Sequence, residues 1–163
     1  MSARRVCVRG VIYRDGELFA QRLKKTDKEN DFWCTPGGGL DLGESLHEGL
    51  RREMIEETGV EPRIGKLLFI QQFGDEHEEQ LEFFFLIENT EDYEVIDLAN
   101  TTHGEIEIEE FGFIDSATTN ILPAYLQTLD IKSYIDSIVP LQILTELKSQ
   151  SSYTSTHANT GSK

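Results

Sequence analysis

Residues 35–60 limit what this chain can become more than any other stretch. They read Thr-Pro-Gly-Gly-Gly-Leu-Asp-Leu-Gly-Glu-Ser-Leu-His-Glu-Gly-Leu-Arg-Arg-Glu-Met-Ile-Glu-Glu-Thr-Gly-Val. The glycines at 37–39 let the backbone approach a ligand closely, and with Pro36 they break regular structure. A helix is predicted to begin near Glu44 or Ser45, with the acid at its positive end. It runs to about Thr58, and Gly59 suits the position just past its last turn. Leu46, Leu50 and Met54 recur every fourth residue and form one apolar stripe for packing on a sheet. Glu53, Glu56 and Glu57 are spaced i, i+3, i+4, so they leave neighbouring positions on one side of the helix. Glu53 and Glu57 lie at the edge of the stripe, which suits groups pointing into a cleft beside the sheet. Three carboxylates that close repel one another unless a cation sits among them.

The flanks predict an α/β fold. Residues 4–14 are rich in β-branched side chains and read as a strand. Asp15-Gly16 is a two-residue hairpin turn, and 17–23 is the return strand. Residues 24–31 form a polar loop, and 32–34 a short strand. Strands follow at 62–73 and 81–87, the second almost wholly apolar and so buried on both faces. Residues 74–80 form a polar turn between them, and 89–104 a long acidic loop. Residues 105–115 alternate as a strand with a bulge at Glu109-Glu110. Helices are predicted at 122–129, 131–138 and 141–148, the last opened by Pro140. The tail at 149–163 is Ser/Thr-rich, lacks apolar content and reads as disordered. No repeat or linker divides the chain, so residues 1–148 read as a single domain, with C-terminal helices at 120–148.

Charge and hydropathy narrow the partners. The net charge of −15 argues against a duplex nucleic-acid binder, which normally shows a basic face. No apolar run reaches the ~20 residues that span a bilayer. The N-terminus has no apolar core of a secretory signal. Cys7 and Cys34 are too few for a disulfide framework and fit a reducing, cytoplasmic setting. From 67 to 131 there are sixteen acidic residues and no Lys or Arg. Most of these solvate the surface. An anionic substrate would need bound cations and the N-terminal basic residues to be attracted at all.

Gly38, five residues, Glu44, seven residues and then Arg52-Glu53-Met54-Ile55-Glu56-Glu57-Thr58-Gly59-Val60 resembles the Nudix box, G-x5-E-x7-R-E-U-x-E-E-x-G-U with U aliphatic. Every specified position is filled. The resemblance implies an α/β/α sandwich around a mixed sheet, and hydrolysis of a nucleoside diphosphate linked to another group. It also implies Mg²⁺ or Mn²⁺ held by Glu53, Glu56, Glu57 and the Gly37 carbonyl. Oxygen-only ligands independently suit these ions rather than zinc. Arg52 lies i, i+4 from both Glu48 and Glu56 and is expected to orient Glu56.

Glu53, Glu56 and Arg52 are thus the expected catalytic group. The resemblance leaves the general base open between a box glutamate and a later one. Glu107 ranks first among the later acids, with Glu105 and Glu110 behind it and Glu109 also available. Gly38 and Gly39 are expected to touch the substrate. Arg22 reads equally as a phosphate contact and as a surface arginine. Trp33 reads as a base-stacking ring or as core packing. Lys24 and Lys25 read as loop solvation, and His47, His77 and His103 as surface residues.

The partner is a small-molecule nucleotide. Nucleoside triphosphates or modified nucleotides rank first and nucleotide sugars next, because the marks of other subgroups are missing around 73–80 and before the box. Two rivals from other classes are a catalytically silent nucleotide-binding regulator and an interaction protein working through its acidic surface. The C-terminal stripes serve core packing or a dimer contact, so the state is monomer or homodimer.

Overall fold

The computed structural model describes residues 3–24, 31–74 and 78–147. In chain order the strands and helices are β1 (Ala3–Val11), β2 (Tyr13–Arg14), β3 (Glu17–Leu23), β4 (Trp33–Cys34), β5 (Gly37–Gly39), α1 (Leu46–Thr58), β6 (Ile64–Gly74), β7 (Glu78–Ile87), α2 (Gly104–Glu107), β8 (Ile108–Ile114), β9 (Ile121–Leu122), α3 (Ile131–Ile135) and β10 (Gln142–Leu147). The fold is mixed α/β, as expected, with the strands divided between two mixed sheets. The first has the order β10-β6-β7-β1-β5. In the second, β2-β3-β4-β9 run in order and β8 joins the free side of β3.

Alternation along β1 decides what each face of the first sheet meets. Val8 and Ile12 join a core cluster with Leu50 and Met54 of α1, together with Phe19, Phe85 and Ile87. Val11 joins a second cluster with Leu18, Phe69, Phe84, Ile121 and Leu126. Leu50 and Met54 are fully buried, so the predicted stripe is the face that packs. Burying each such side chain contributes roughly 1.5–3 kcal/mol. Gly10 lets α1 settle close, since a Cβ there would lie 2.9 Å from the Met54 sulfur.

Helix α1 starts and stops where local chemistry dictates. The backbone N–H of Glu48 donates to Ser45 Oγ, and the N–H of Ser45 donates to the Glu48 carboxylate, a reciprocal capping box. At the other end Gly59 takes φ 72° and donates its N–H to Ile55 O. That left-handed conformation favours glycine. The hairpin turn also holds, with positive φ at Asp15 and Gly16.

Four expectations require correction. Residues 37–39 are a short strand, paired antiparallel with Cys7–Arg9 of β1. Residues 104–107 are a helical turn, and the strand begins only at Ile108. Gly104 allows this turn to press on α1, because a Cβ there would meet the Glu57 carbonyl at 2.3 Å. The region 122–129 holds strand β9 and a 3₁₀ turn over Ala124–Gln127, since Leu122 pairs beside β4. The helix expected at 141–148 is instead β10, parallel to β6. Short apolar runs fit either period. Here the outer edge of β6 would otherwise leave its N–H and C=O groups unpaired, and ladder bonds with β10 satisfy them. Of the three predicted C-terminal helices, only the five-residue α3 is α-helical. The predicted bulge is present: Arg22 pairs with Glu110 and Leu23 with Ile108, so Glu109 is the extra residue. Residues 149–163, Lys25 and His77 lie outside the described residues.

Candidate active site

A cleft of about 680 Å³ opens between the two sheets, beside the end of α1. Its acidic wall is Glu53, Glu56 and Glu57 of α1 with the backbone of β5. Its floor is the first sheet, with Arg5 and Arg9 from β1, Gln71 and Phe73 from β6, and Gln80 and Glu82 from β7. Across from these stand Gln21, Leu23, Phe32 and Cys34, with Leu122, Pro123 and Ala124. His103 and Glu107 of the α2 turn close one edge. Strand alternation puts Arg5, Cys7 and Arg9 on the cleft side, opposite Gln80, Glu82 and Phe84 in register.

Glycine is required at 37 and allows a close approach at 38. Gly37 has φ 128°, and a Cβ there would lie 2.1 Å from the Val8 carbonyl. A Cβ on Gly38 would lie 2.6 Å from the Glu53 carboxyl carbon. Contacts that short do not occur, so the acidic helix lies directly against the glycine backbone.

Arg52 joins most of the acidic wall. Its Nε donates to Glu44 Oε1 at 2.7 Å, and Nη2 donates to Glu44 Oε2 and Gly39 O, each at 3.0 Å. Nη1 donates to Glu53 Oε1 at 2.8 Å and to Glu56 Oε2 at 3.2 Å. The flat fork of a guanidinium makes this span possible. The bonds from Arg52, then the Asp41 backbone N–H, hold the Glu44 carboxyl down at about 2. Glu48 does not pair with Arg52 but serves the helix cap.

Glu57 has a different environment. It is 6% exposed. Gln21 Nε2 donates to its Oε1, and the Gly37 N–H to its Oε2, both at 2.8 Å. Burial pushes its pKa up to about 7, against the opposing pull of those bonds and of Arg9. Beneath it, Arg9 Nε donates to the buried Glu82 at 3.0 Å and Arg9 Nη1 to Gly37 O at 2.9 Å. This pair ties β1 and β7 to the glycine strand. Cys34 is pushed up to about 11 by burial. A thiol held neutral is a poor nucleophile, so Cys34 serves as wall.

Among the described residues, no three acid, histidine or cysteine side chains stand in a metal-holding arrangement. Glu53 and Glu56 are engaged by Arg52, and Glu57 by Gln21 and Gly37. The donor chemistry nevertheless fits a hard divalent cation, since carboxylate oxygens and a backbone carbonyl are the groups Mg²⁺ and Mn²⁺ accept.

The family model for the NUDIX domain matches residues 3–123. The chain belongs to the Nudix family. Its relatives include an ADP-ribose pyrophosphatase of Methanocaldococcus jannaschii, 33% identical over 70 residues, which are 43% of this chain and 41% of that protein. An RNA pyrophosphohydrolase of Novosphingobium aromaticivorans is 36% identical over 67 residues, 41% of this chain and 40% of that protein. The chain therefore spans less than half the length of either relative. Among solved structures, a MutT protein from Methanosarcina mazei Go1 matches 85% of this chain and 98% of its own, with TM-score 0.64 and 21% identity. That likeness is one of fold.

The Nudix box is gathered at the cleft. Arg52, Glu53, Glu56, Glu57, Gly37, Gly38 and Gly39 all line it, and so does Glu107. Glu105, Glu109 and Glu110 are exposed and outside the lining. Arg22 is also outside, engaged by Asp31, Glu109 and Glu110. Trp33 packs against the core cluster of Val11 and Leu18, with the Arg22 guanidinium 5.9 Å from its ring centre. Lys24 donates to the Glu105 carbonyl, and His47 is exposed beside the Phe85 ring.

Sequence reasoning missed several cleft residues. Arg9 and Glu82 each interrupt an apolar strand, a signal that they pair inside. His103 carried no local signal: its Nδ1 lies 3.3 Å from Glu56 Oε2, and its N–H donates to the Glu56 carbonyl at 3.0 Å.

Proposed function

We propose that this protein is a Mg²⁺- or Mn²⁺-dependent pyrophosphohydrolase that cuts a phosphoanhydride in a nucleoside diphosphate linked to a further group. One observation carries the reading: Glu53, Glu56 and Glu57 line one cleft with the glycine backbone of β5. Those carboxylates, with the Gly37 carbonyl, hold the cation. When bound, a divalent cation there would supply charge to offset the transition state and would acidify a water. Arg52 holds Glu44, Glu53, Glu56 and Gly39 as one unit, so the acids keep their spacing while phosphate enters. Glu107, at the cleft edge, takes the proton of the attacking water.

The mouth offers apolar surface from Leu23, Phe32, Phe73, Leu122 and Pro123 to a planar base. Nucleoside triphosphates or modified nucleotides rank first as substrates, and nucleotide sugars next. The names of the relatives support phosphoanhydride chemistry in general. The purified protein should convert at least one member of a panel of nucleoside triphosphates, nucleotide sugars, ADP-ribose and dinucleoside polyphosphates to a matched product pair. Turnover should require Mg²⁺ or Mn²⁺ and stop with EDTA. Calorimetric binding of nucleotides with no turnover of any of them would replace this reading with that of a silent regulator.

A further inference from the structure

Three arginines line the cleft, and two have their donors engaged. Arg52 is bound to Glu44, Glu53 and Glu56, and Arg9 to Glu82 and the Gly37 carbonyl. The side chain of Arg5 makes no hydrogen bond or ion pair among the described residues. This is unusual for a chain with 30 acidic and 15 basic residues. Every other described arginine has found an acid, including its neighbour Arg4, which pairs with Glu79. Arg5 also lies close to the glycine strand. Its guanidinium lies over Gly39, where a Cβ would stand 3.0 Å from Nε and 3.1 Å from Nη2. The carbonyl of that same glycine accepts from Arg52. A guanidinium without an acid therefore lines the cleft beside Gly39, next to the acidic wall.

We infer that Arg5 binds a phosphate of the substrate beyond those held at the carboxylate wall, and so favours nucleoside triphosphates over nucleoside diphosphates linked to a neutral group. The inference rests on the hydrolase reading for the position of the substrate. Its physical content is separate: a guanidinium matches phosphate geometry with paired N–H donors. Because Arg5 is exposed and unpaired, it gives up no internal ion pair to make that contact. A substrate ending in a sugar offers it no charge.

The test uses the full chain, with Arg5→Ala and Arg5→Lys, and Arg4→Ala as a control that removes the same charge outside the cleft. Calorimetry with Mg²⁺ compares inorganic tripolyphosphate with pyrophosphate, and steady-state kinetics compares ATP, CTP, GTP and UTP with UDP-glucose and ADP-ribose. Arg5→Ala should weaken tripolyphosphate binding, and raise KM for the triphosphate, by roughly tenfold or more. Pyrophosphate binding and KM for UDP-glucose and ADP-ribose should stay within about twofold, and Arg5→Lys should fall between. Wild-type turnover with Arg5→Ala matching Arg4→Ala on every ligand overturns the role of Arg5 and leaves the hydrolase reading standing. So does an equal loss on every ligand. Absence of all turnover, with tripolyphosphate binding still dependent on Arg5, overturns the hydrolase reading and supports the phosphate contact.

Discussion

Gln21 donates its amide N–H to Glu57 at 2.8 Å, while its own amide oxygen is buried without a partner. The bond can form with Glu57 charged or protonated, because an amide presents either an N–H or an oxygen. Turned over, the Gln21 amide would accept from a protonated Glu57, which would still accept from the Gly37 N–H. Burial outweighs the bonds from Gln21 and Gly37, which favour the carboxylate, and pushes Glu57 up to about 7.

The sign of the resulting pH dependence follows. A carboxyl raised from 4.5 to about 7 on folding favours the folded state most below its unfolded value. That contribution is lost as pH rises through the folded value. In EDTA, stability to urea should therefore fall between about pH 5 and pH 7.5, by roughly 3 kcal/mol at most. Glu57→Gln should flatten this slope, because a neutral amide makes both bonds at every pH. A wild-type stability that climbs with pH across that window contradicts the assignment.

Gly38→Ala separates chemistry from folding. The new methyl would meet the Glu53 carboxylate, the end of a movable side chain, so stability should change by less than about 1 kcal/mol. Turnover should fall by roughly a hundredfold, because misplacing a catalytic group by about 1 Å has that effect. Thermal melts and kcat measured on the same preparation check both halves.

Arg52→Lys keeps the charge and removes the fork. Lysine presents its three donors at one point and cannot span Glu44, Glu53, Glu56 and Gly39 together. Leaving these carboxylates without donors should lower the melting temperature and sharply reduce kcat. Glu44 should show it directly: its carboxyl, held at about 2 by Arg52, should titrate closer to 4.5 by NMR in the variant.

Of Glu105, Glu107, Glu109 and Glu110, only Glu107 lines the cleft. Glu107→Gln should lower kcat by roughly 10²–10⁴-fold with KM little changed. The same change at Glu105 or Glu110 should leave kcat within twofold. An unaffected Glu107→Gln enzyme would move the base to the box itself.

Ser45→Ala tests the cap and should lower stability by about 1 kcal/mol. It should leave KM unchanged, since Ser45 lies outside the cleft lining.

Features governed by local rules were legible in the sequence. Ser45 and Gly59 bound α1, Leu50 and Met54 set its buried face, and the helical period places Glu53, Glu56 and Glu57 together. The Asp15-Gly16 turn and the bulge at Glu109 are equally local. Residues 141–148 were misread because their apolar spacing fits both periods, and the edge of β6 that decides between them lies about seventy residues away. Arg22 was a reasonable phosphate contact on its strand alone, but Asp31, Glu109 and Glu110 engage it.

By itself, then, the sequence determined the Nudix box, its helix and the carboxylate spacing, because a helix repeats over a few residues whatever surrounds it. Only the tertiary structure decided which groups complete the cleft. Arg5 and Arg9 reach it through the register of β1 with β7 and β5, and His103 and Glu107 reach it through the close approach allowed at Gly104. Strand register and glycine contacts join residues far apart in the chain, and no local pattern encodes them.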